Sequence, residues 1–220
     1  MKILKIILTI VPYLVIIAIL YFFLYRFVIN DKNGNPIYGF EFKKEGLEKD
    51  QSYIFYSDAN KKIVSVTKDK KIIQKELTAD SFFISPIYNE KIAFQVRLKD
   101  SLINETDNYT TSQKILAVSD IEGNFKVFTE LLINNKVIDK NLNWIFGKGH
   151  LVCNGDFFDR GNDVTATLWL IYKLEGEAEK QGGKVHFMLG NHEEMNLRGF
   201  VKYVKLKYET LAVMLNIPYK

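Results

Sequence analysis

Three short apolar runs in the second half of the chain each lead into a polar loop, and the loops recur at nearly constant spacing. Asp156 follows Asp120 by 36 positions, and Asn191 follows Asp156 by 35. Each interval has room for one crossover helix and a return strand. The pattern predicts strands at residues 114–118, 144–146, 150–153 and 185–189, and helices at residues 124–135, 164–181 and 199–215. Because strands alternate with helices, we predict an α/β fold with a mainly parallel sheet.

The polar loops carry oxygen donors of the kind that bind metal ions. The donors that follow three predicted strands are Asp120, Glu122, Asp156 and Asn191. Parallel strands bring their carboxyl ends to one edge of a sheet, where crowded carboxylates repel one another unless cations lie between them. Asp156 has two oxygens and can bridge two ions, and a pair of ions about 3.5–4 Å apart clamps a phosphate and activates water. We therefore expect these four residues to hold two divalent metal ions.

The same loops offer groups suited to phosphoester hydrolysis. Arg160 presents a forked donor that matches phosphate oxygens. His192 can protonate a leaving oxygen, and Asp159 can orient the imidazole. We assign catalytic roles to His192, Asp159 and Arg160, and we expect Arg160, Asn191 and His192 to contact the substrate.

Two motifs carry a family resemblance. Residues 155–161 and residues 190–193 resemble the GDxxDRG and GNHE motifs of calcineurin-like metallophosphoesterases. Within that superfamily they are most similar to the phosphoprotein-phosphatase branch, in its bacterial Shewanella-like group. The resemblance extends over about residues 113–200, and two motifs in this order and at this spacing are a strong signal.

The resemblance implies a fold, a reaction and a role for each loop residue. It implies that residues 113–220 form a βαβαβ half of the family's αββα sandwich. Asp120 would bind the first metal, Asp156 would bridge, and Asn191 would bind the second, with Mn, Fe, Zn or Mg as candidate ions. A metal-bound hydroxide would hydrolyse a phosphorylated protein, of serine/threonine type, or another phosphomonoester without a phosphoenzyme.

The chain departs from the family pattern in two places. Glu122 stands where the family's first motif has a histidine ligand. The family also takes histidine ligands from later loops, whereas 28 residues follow His192 and none is histidine. We therefore expect a shortened member of the family. Two alternatives stay open: a non-catalytic remnant or pseudophosphatase that binds partners, and a hydrolase of nucleotide or lipid diphosphates.

The amino-terminal segment predicts a membrane anchor. Residues 6–25 contain no charged side chain, and as a helix they would span about 30 Å, the thickness of a bilayer core. Lys2 and Lys5 precede the run, and Arg26 closes it. A cleaved signal peptide would have small residues at a cleavage site, which are missing here. We predict a single-pass anchor at residues 1–29 that carries an extracytoplasmic domain.

Residues 30–112 read as a linker followed by a small β-rich domain. The strand-like runs are residues 53–56, 63–66, 70–77, 81–85 and 92–96. We therefore divide the chain into 1–29, 30–112 and 113–220, and we expect the middle part to be a packing or membrane-spacing module. Residues 26–110 and 111–220 each carry 14 basic and 13 acidic side chains, so nucleic acid is not an expected partner. A single cysteine excludes an intrachain disulfide.

Overall fold

The computed structural model describes residues 29–30, 36–37, 46–57, 60–101, 108–110 and 113–217. The chain divides into two compact units, residues 1–43 and residues 44–220. In the first unit the described residues form a short antiparallel pair, β1 (Ile29–Asn30) with β2 (Pro36–Ile37). All elements named below belong to the second unit.

The localisation predicted from the amino-terminal segment requires correction. Across the part of the chain that the structure describes, no helix combines the length and the apolar character needed to cross a bilayer. This finding overturns the prediction of a single-pass membrane protein with an extracytoplasmic domain. Residues 1–28 of the predicted anchor lie outside the described residues, and its last residue, Ile29, lies in strand β1.

The described part of residues 46–101 forms five strands in two antiparallel groups. Three of them pair in the order β3 (Asp50–Ser57), β4 (Asn60–Val66) and β5 (Ile72–Glu76), and the other two, β6 (Ser81–Ile84) and β7 (Phe94–Arg97), pair with each other. Burial alternates along β6 and β7, as expected for strands with one face on a core. Phe82 and Ile84 point inward, whereas Phe83 is exposed.

The second half of the chain is a three-stranded parallel sheet with helices, as the sequence predicted. Its elements are β8 (Ile115–Val118), α1 (Phe125–Asn134), β9 (His150–Asn154), α2 (Val164–Lys180), β10 (Lys184–Met188), α3 (Asn191–Leu197) and α4 (Leu206–Met214). The strand order is β10-β9-β8, and His150 on the central strand pairs with Ile115 and with Lys184. The mixed α/β prediction is therefore confirmed.

Two element predictions in this half were wrong. Trp144 makes an isolated antiparallel bridge to Ile138 in place of a full strand, because the run at residues 144–146 is too short to extend the pairing. The helix predicted at residues 199–215 begins only at Leu206, and the residues before it form turns. The loop donors at residues 191–193 start a separate short helix, α3.

The two halves of this unit share one hydrophobic core. Phe94 of β7 stacks on Phe125 of α1 with ring centroids 5.9 Å apart. Phe82 of β6 packs edge-on against Trp169 of α2 at 4.9 Å. Each buried aromatic ring of this kind removes roughly 150–250 Å² of surface from water, so these contacts bind the β-rich strands firmly to the parallel sheet's helices.

A buried ion pair also connects the β-rich strands to the second half of the chain. Lys207 of α4 lies 2.9 Å from the carboxylate of Asp50 at the start of β3, and both side chains are almost inaccessible. Lys207 also donates to the carbonyl of Asn162, next to the loop after β9. Thr165 and Tyr53 donate hydrogen bonds around the same carboxylate. Both charges are therefore satisfied, as buried charges must be.

Candidate functional site

The structure brings all the sequence-predicted site residues to the carboxyl edge of the parallel sheet. The loop after β8 carries Asp120 and Glu122, the loop after β9 carries Asp156, Asp159 and Arg160, and α3 begins with Asn191 and His192. The first two loops are joined by backbone hydrogen bonds, from the amide of Glu122 to the carbonyl of Asp156 (3.0 Å) and from that of Gly123 to Phe157 (2.9 Å). The site therefore rests on paired loop backbones.

Glycine is required where the second and third loops meet. Gly155 has a φ of +78°, in the left-handed region that L side chains rarely adopt. A Cβ atom at Gly155 would lie 2.5 Å from the Cα of Gly190. A side chain at either position would push the loops apart, so these glycines set the spacing between Asp156 and the start of α3.

Backbone strain is concentrated at the same edge. Nine non-glycine residues with positive φ occur among the described residues, and five of them are Asp120, Glu122, Asp156, Asp159 and Arg160. Each such residue costs of order 1–3 kcal/mol unless its surroundings hold it in place. Strain of this kind is typical of sites where side chains must point at a shared ligand.

Glu193, to which the sequence analysis assigned no role, holds the second loop against the third. Its buried carboxylate accepts backbone hydrogen bonds from Asp156, Phe157 and Gly190, each at 2.8 Å, and from Phe158 at 3.0 Å. Burial raises the pKa of Glu193, but the four backbone donors outweigh burial and lower that pKa below its usual range. Its position three residues after the cap residue Gly190 is a helix-start signal that could have revealed this role.

A buried His–Asp pair lies next to Glu193, at the start of α3. His192 Nδ1 lies 2.7 Å from Asp159 Oδ2, and Asn196 donates to the other oxygen of Asp159 at 2.8 Å. The backbone amide of His192 donates to Asp156 at 2.9 Å, which fixes the start of the helix against the second loop. Asn196 follows His192 by four residues, one helical turn, and that spacing is the signal that could have identified it.

The predicted phosphate-binding arginine has a carboxylate partner. Arg160 forms an ion pair with Glu122, and about half of the arginine side chain remains exposed. The guanidinium also lies over the ring of Tyr203, 5.2 Å from its centroid. Glu122 is thus turned toward Arg160, and its Oε1 lies 3.8 Å from His192 Nε2. Glu122 was predicted to be a metal ligand, and in the structure the Arg160 guanidinium balances the charge of its carboxylate.

The donor types at this edge fit a hard divalent cation. Asp120 and Asp156 offer carboxylate oxygens and Asn191 an amide oxygen, which are ligands for Mg²⁺ or Mn²⁺. Within residues 46–57, 60–101, 108–110 and 113–217, no three histidine, cysteine or acidic side chains are grouped so as to hold a metal ion. Glu122 is paired with Arg160, and Ser119 donates a hydrogen bond to Asp120 at 2.6 Å.

A cleft of about 410 Å³ opens beside these residues. Its walls include Asp120, Glu122 and Arg160 from the site and Tyr88 from the loop between β6 and β7. The carboxylate of Asp163 holds that loop, because it accepts the backbone amides of Ile87 and Tyr88. Burial raises the pKa of Asp163. The β-rich segment therefore supplies one wall of the cleft next to the candidate site.

Comparison with known proteins agrees with the residue-level resemblance. Residues 113–219 match the family model described as Calcineurin-like phosphoesterase. The chain is 36% identical over 121 residues to Shewanella-like protein phosphatase 1 of Plasmodium berghei. That alignment covers 55% of this chain and 33% of the relative. The chain is also 36% identical over 95 residues to Shewanella-like protein phosphatase 2 of Arabidopsis thaliana, covering 43% of this chain and 24% of the relative.

Solved structures extend the match into the β-rich segment. An I115M mutant of a cold-active protein tyrosine phosphatase superposes with a TM-score of 0.68 at 31% identity, over 78% of this chain and 52% of the other. The cold-active protein-tyrosine phosphatase of a psychrophilic Shewanella species gives 0.67 at 30% identity, over 78% and 52%. This chain thus spans about half the length of these structures and a third or less of the two curated relatives. Over residues 113–219, about half of its length, the chain is therefore similar to the calcineurin-like phosphoesterases.

Proposed function

We propose that this chain is a metal-dependent phosphoester hydrolase that acts on a phosphomonoester, with a phosphorylated protein as the substrate class. The observation that carries the proposal is the buried His192–Asp159 pair, which lies at the same sheet edge as Arg160. The relatives named above are phosphatases, and their names support phosphoprotein as the class. Because two of them are tyrosine phosphatases, phosphotyrosine is a substrate to test beside the predicted serine/threonine type.

In this proposal each residue has one task. Arg160 binds phosphoryl oxygens through its forked donors, in exchange for its contact with Glu122. Asp159 accepts the Nδ1 proton of His192, so the proton that His192 delivers is held at Nε2. The Nε2 atom of His192 lies 3.8 Å from Glu122 Oε1, and Glu122 lines the cleft. The leaving group would therefore lie in the 410 Å³ cleft, between Arg160 and Tyr88.

Members of this family depend on metal ions, and we propose that Asp120, Asp156 and Asn191 contribute oxygen ligands to a pair of divalent ions. The candidate ions are Mn, Fe, Zn and Mg. Among them, a set of oxygen donors alone favours the hard ions Mn²⁺ and Mg²⁺. When bound, such ions polarise the phosphoryl group and supply an activated water. We also propose that β8, β9 and β10 with their helices correspond to one half of an αββα sandwich, as the similarity of residues 113–219 to the family implies.

Hydrolysis of p-nitrophenyl phosphate in the presence of Mn²⁺ tests the proposal. The wild-type full chain should release p-nitrophenol, and Asp156→Asn should lose most of that activity because the substitution removes a charged oxygen. Glu130→Gln is a matched control, since Glu130 is an exposed carboxylate on α1 whose ion pair to Lys126 is long, at 3.9 Å. A wild-type chain without activity, and without saturable Mn²⁺ binding by calorimetry, would instead indicate a partner-binding module.

A further inference from the structure

Tyr203 lies in the irregular segment between α3 and α4, and its ring contacts two of the residues assigned roles above. The Arg160 guanidinium lies 5.2 Å from the ring centroid, and the imidazole of His192 lies 5.2 Å from it at an angle of 60°. Lys202 Nζ also approaches the ring, at 5.0 Å. One aromatic side chain therefore touches both a residue proposed to bind phosphate and a residue proposed to carry a proton.

The backbone of Tyr203 makes a second contact with the same loop. Its carbonyl accepts the amide of Arg160 at 3.0 Å. Arg160 has a φ of +51°, a conformation that needs support from its surroundings. The carbonyl therefore supports the strained backbone of Arg160, while the ring limits the positions of its guanidinium.

The segment that carries Tyr203 is itself held from its carboxyl side. It leads directly into α4, where Lys207 pairs with Asp50 and donates to Asn162, two residues after Arg160. Tyr208 adds a hydrogen bond to the same carbonyl at 3.2 Å. The start of α4, directly after the segment that carries Tyr203, is thus fixed against the loop after β9 by contacts that do not involve Tyr203 itself.

We propose that Tyr203 is a positioning residue for phosphate binding: its ring orients the Arg160 guanidinium toward the phosphoryl group. The inference rests on the proposed function for the role of Arg160. The Arg160 guanidinium forms an ion pair with Glu122 and a cation–π contact with the Tyr203 ring. Loss of the ring leaves Arg160 paired with Glu122 alone, which makes exchange of that carboxylate for a phosphate less favourable.

The test compares Tyr203→Leu with Tyr203→Phe in the full chain, using inorganic phosphate as the probe. Phosphate binding is followed by NMR titration, and the Arg160 Nε–Hε resonance reports on the guanidinium without any ligand. We expect Tyr203→Leu to raise the Kd for phosphate about three- to tenfold and to shift the Arg160 resonance, in line with a cation–π contact at a partly exposed site. Tyr203→Phe keeps the ring and should resemble the wild type in both measurements.

Tyr56→Leu is the matched control, because Tyr56 is an exposed tyrosine on β3 outside the site. Urea unfolding of each variant separates positioning from a loss of stability. The inference is overturned if Tyr203→Leu leaves the Arg160 resonance unchanged, or if wild type and Tyr203→Leu bind phosphate equally. A wild type that binds no phosphate contradicts the proposed function, and the Arg160 resonance then still decides whether the ring holds the guanidinium.

Discussion

Replacement of Glu193 tests how the site loops are held. The Glu193 carboxylate accepts four backbone hydrogen bonds, two on each oxygen: Phe157 and Phe158 donate to Oε1, and Asp156 and Gly190 donate to Oε2. A hydrogen bond to a charged group contributes roughly 1.5–3 kcal/mol, and the four bonds act as a unit, so they do not sum. We expect Glu193→Ala to lower the free energy of unfolding by about 4 kcal/mol, near the upper end for a single substitution.

Glu193→Gln gives a graded version of the same experiment. The glutamine keeps one oxygen, which can accept two of the four amides, whereas its NH₂ group faces the other two donors. We therefore expect a loss of about 2 kcal/mol, half the effect of alanine. Glu194→Gln is the matched control, because Glu194 is exposed and forms a surface ion pair with Arg198, the residue after the last of α3, which predicts a change below about 0.5 kcal/mol.

The assay is urea unfolding of the full chain followed by tryptophan fluorescence. Both tryptophans, Trp144 and Trp169, are anchored in the second unit, since each donates its indole N–H to a backbone carbonyl. Equal stability of Glu193→Ala and the Glu194→Gln control would refute the idea that this carboxylate holds the loops.

The dependence on pH follows from the lowered pKa of Glu193. Its stabilising contribution is complete above the ordinary glutamate pKa, about 4.3, and is lost as the pH falls through the lower pKa of the folded state. The difference in stability between wild type and Glu193→Gln should therefore be constant near neutral pH and should shrink in acid below about pH 4. A difference that grows on acidification would have the wrong sign for this account.

Two further predictions follow from buried groups outside the site. Lys207→Met removes the cationic partner of the buried Asp50 carboxylate and should lower the free energy of unfolding in urea by about 3–5 kcal/mol, and a Lys207→Met/Asp50→Leu double variant should recover much of that loss. An unchanged stability of Lys207→Met would contradict the buried pair. Cys153 is fully buried and burial raises its pKa to about 12, so the folded chain should resist a thiol reagent at pH 8 and react only in urea. Fast labelling of the native chain would show that strand β9 is open.

Much of the second half could be predicted because its signals are local. Periodic apolar runs and their polar ends predicted β8, β9 and β10 and the sheet edge where Asp120, Asp156 and His192 now lie. The ion pair between Arg160 and Glu122 could not be predicted, because it joins residues 38 positions apart through loop conformations with positive φ. Those conformations depend on tertiary support, which periodicity does not encode.

The remaining differences have similar causes. We predicted a separate module at residues 30–112, because its strand-like runs end at a polar stretch before the pattern of alternating strands and helices begins. The structure shows that Phe82 and Phe94 pack into the core shared with α1 and α2, and that Tyr88 lines the cleft. Such contacts are long-range and leave no pattern in either segment alone. For the localisation, an apolar run predicted a bilayer-spanning helix, and the described helices include none.

The most direct test of the proposed function is the leaving-group dependence of hydrolysis by Asp159→Asn. In the proposal, Asp159 orients His192 so that Nε2 protonates the leaving oxygen. The substitution should then slow an alkyl phosphomonoester roughly 10²-fold or more, because its leaving alkoxide needs a proton, and should slow p-nitrophenyl phosphate much less. An equal loss of rate on both substrates would contradict a proton-delivering role for the His192–Asp159 pair.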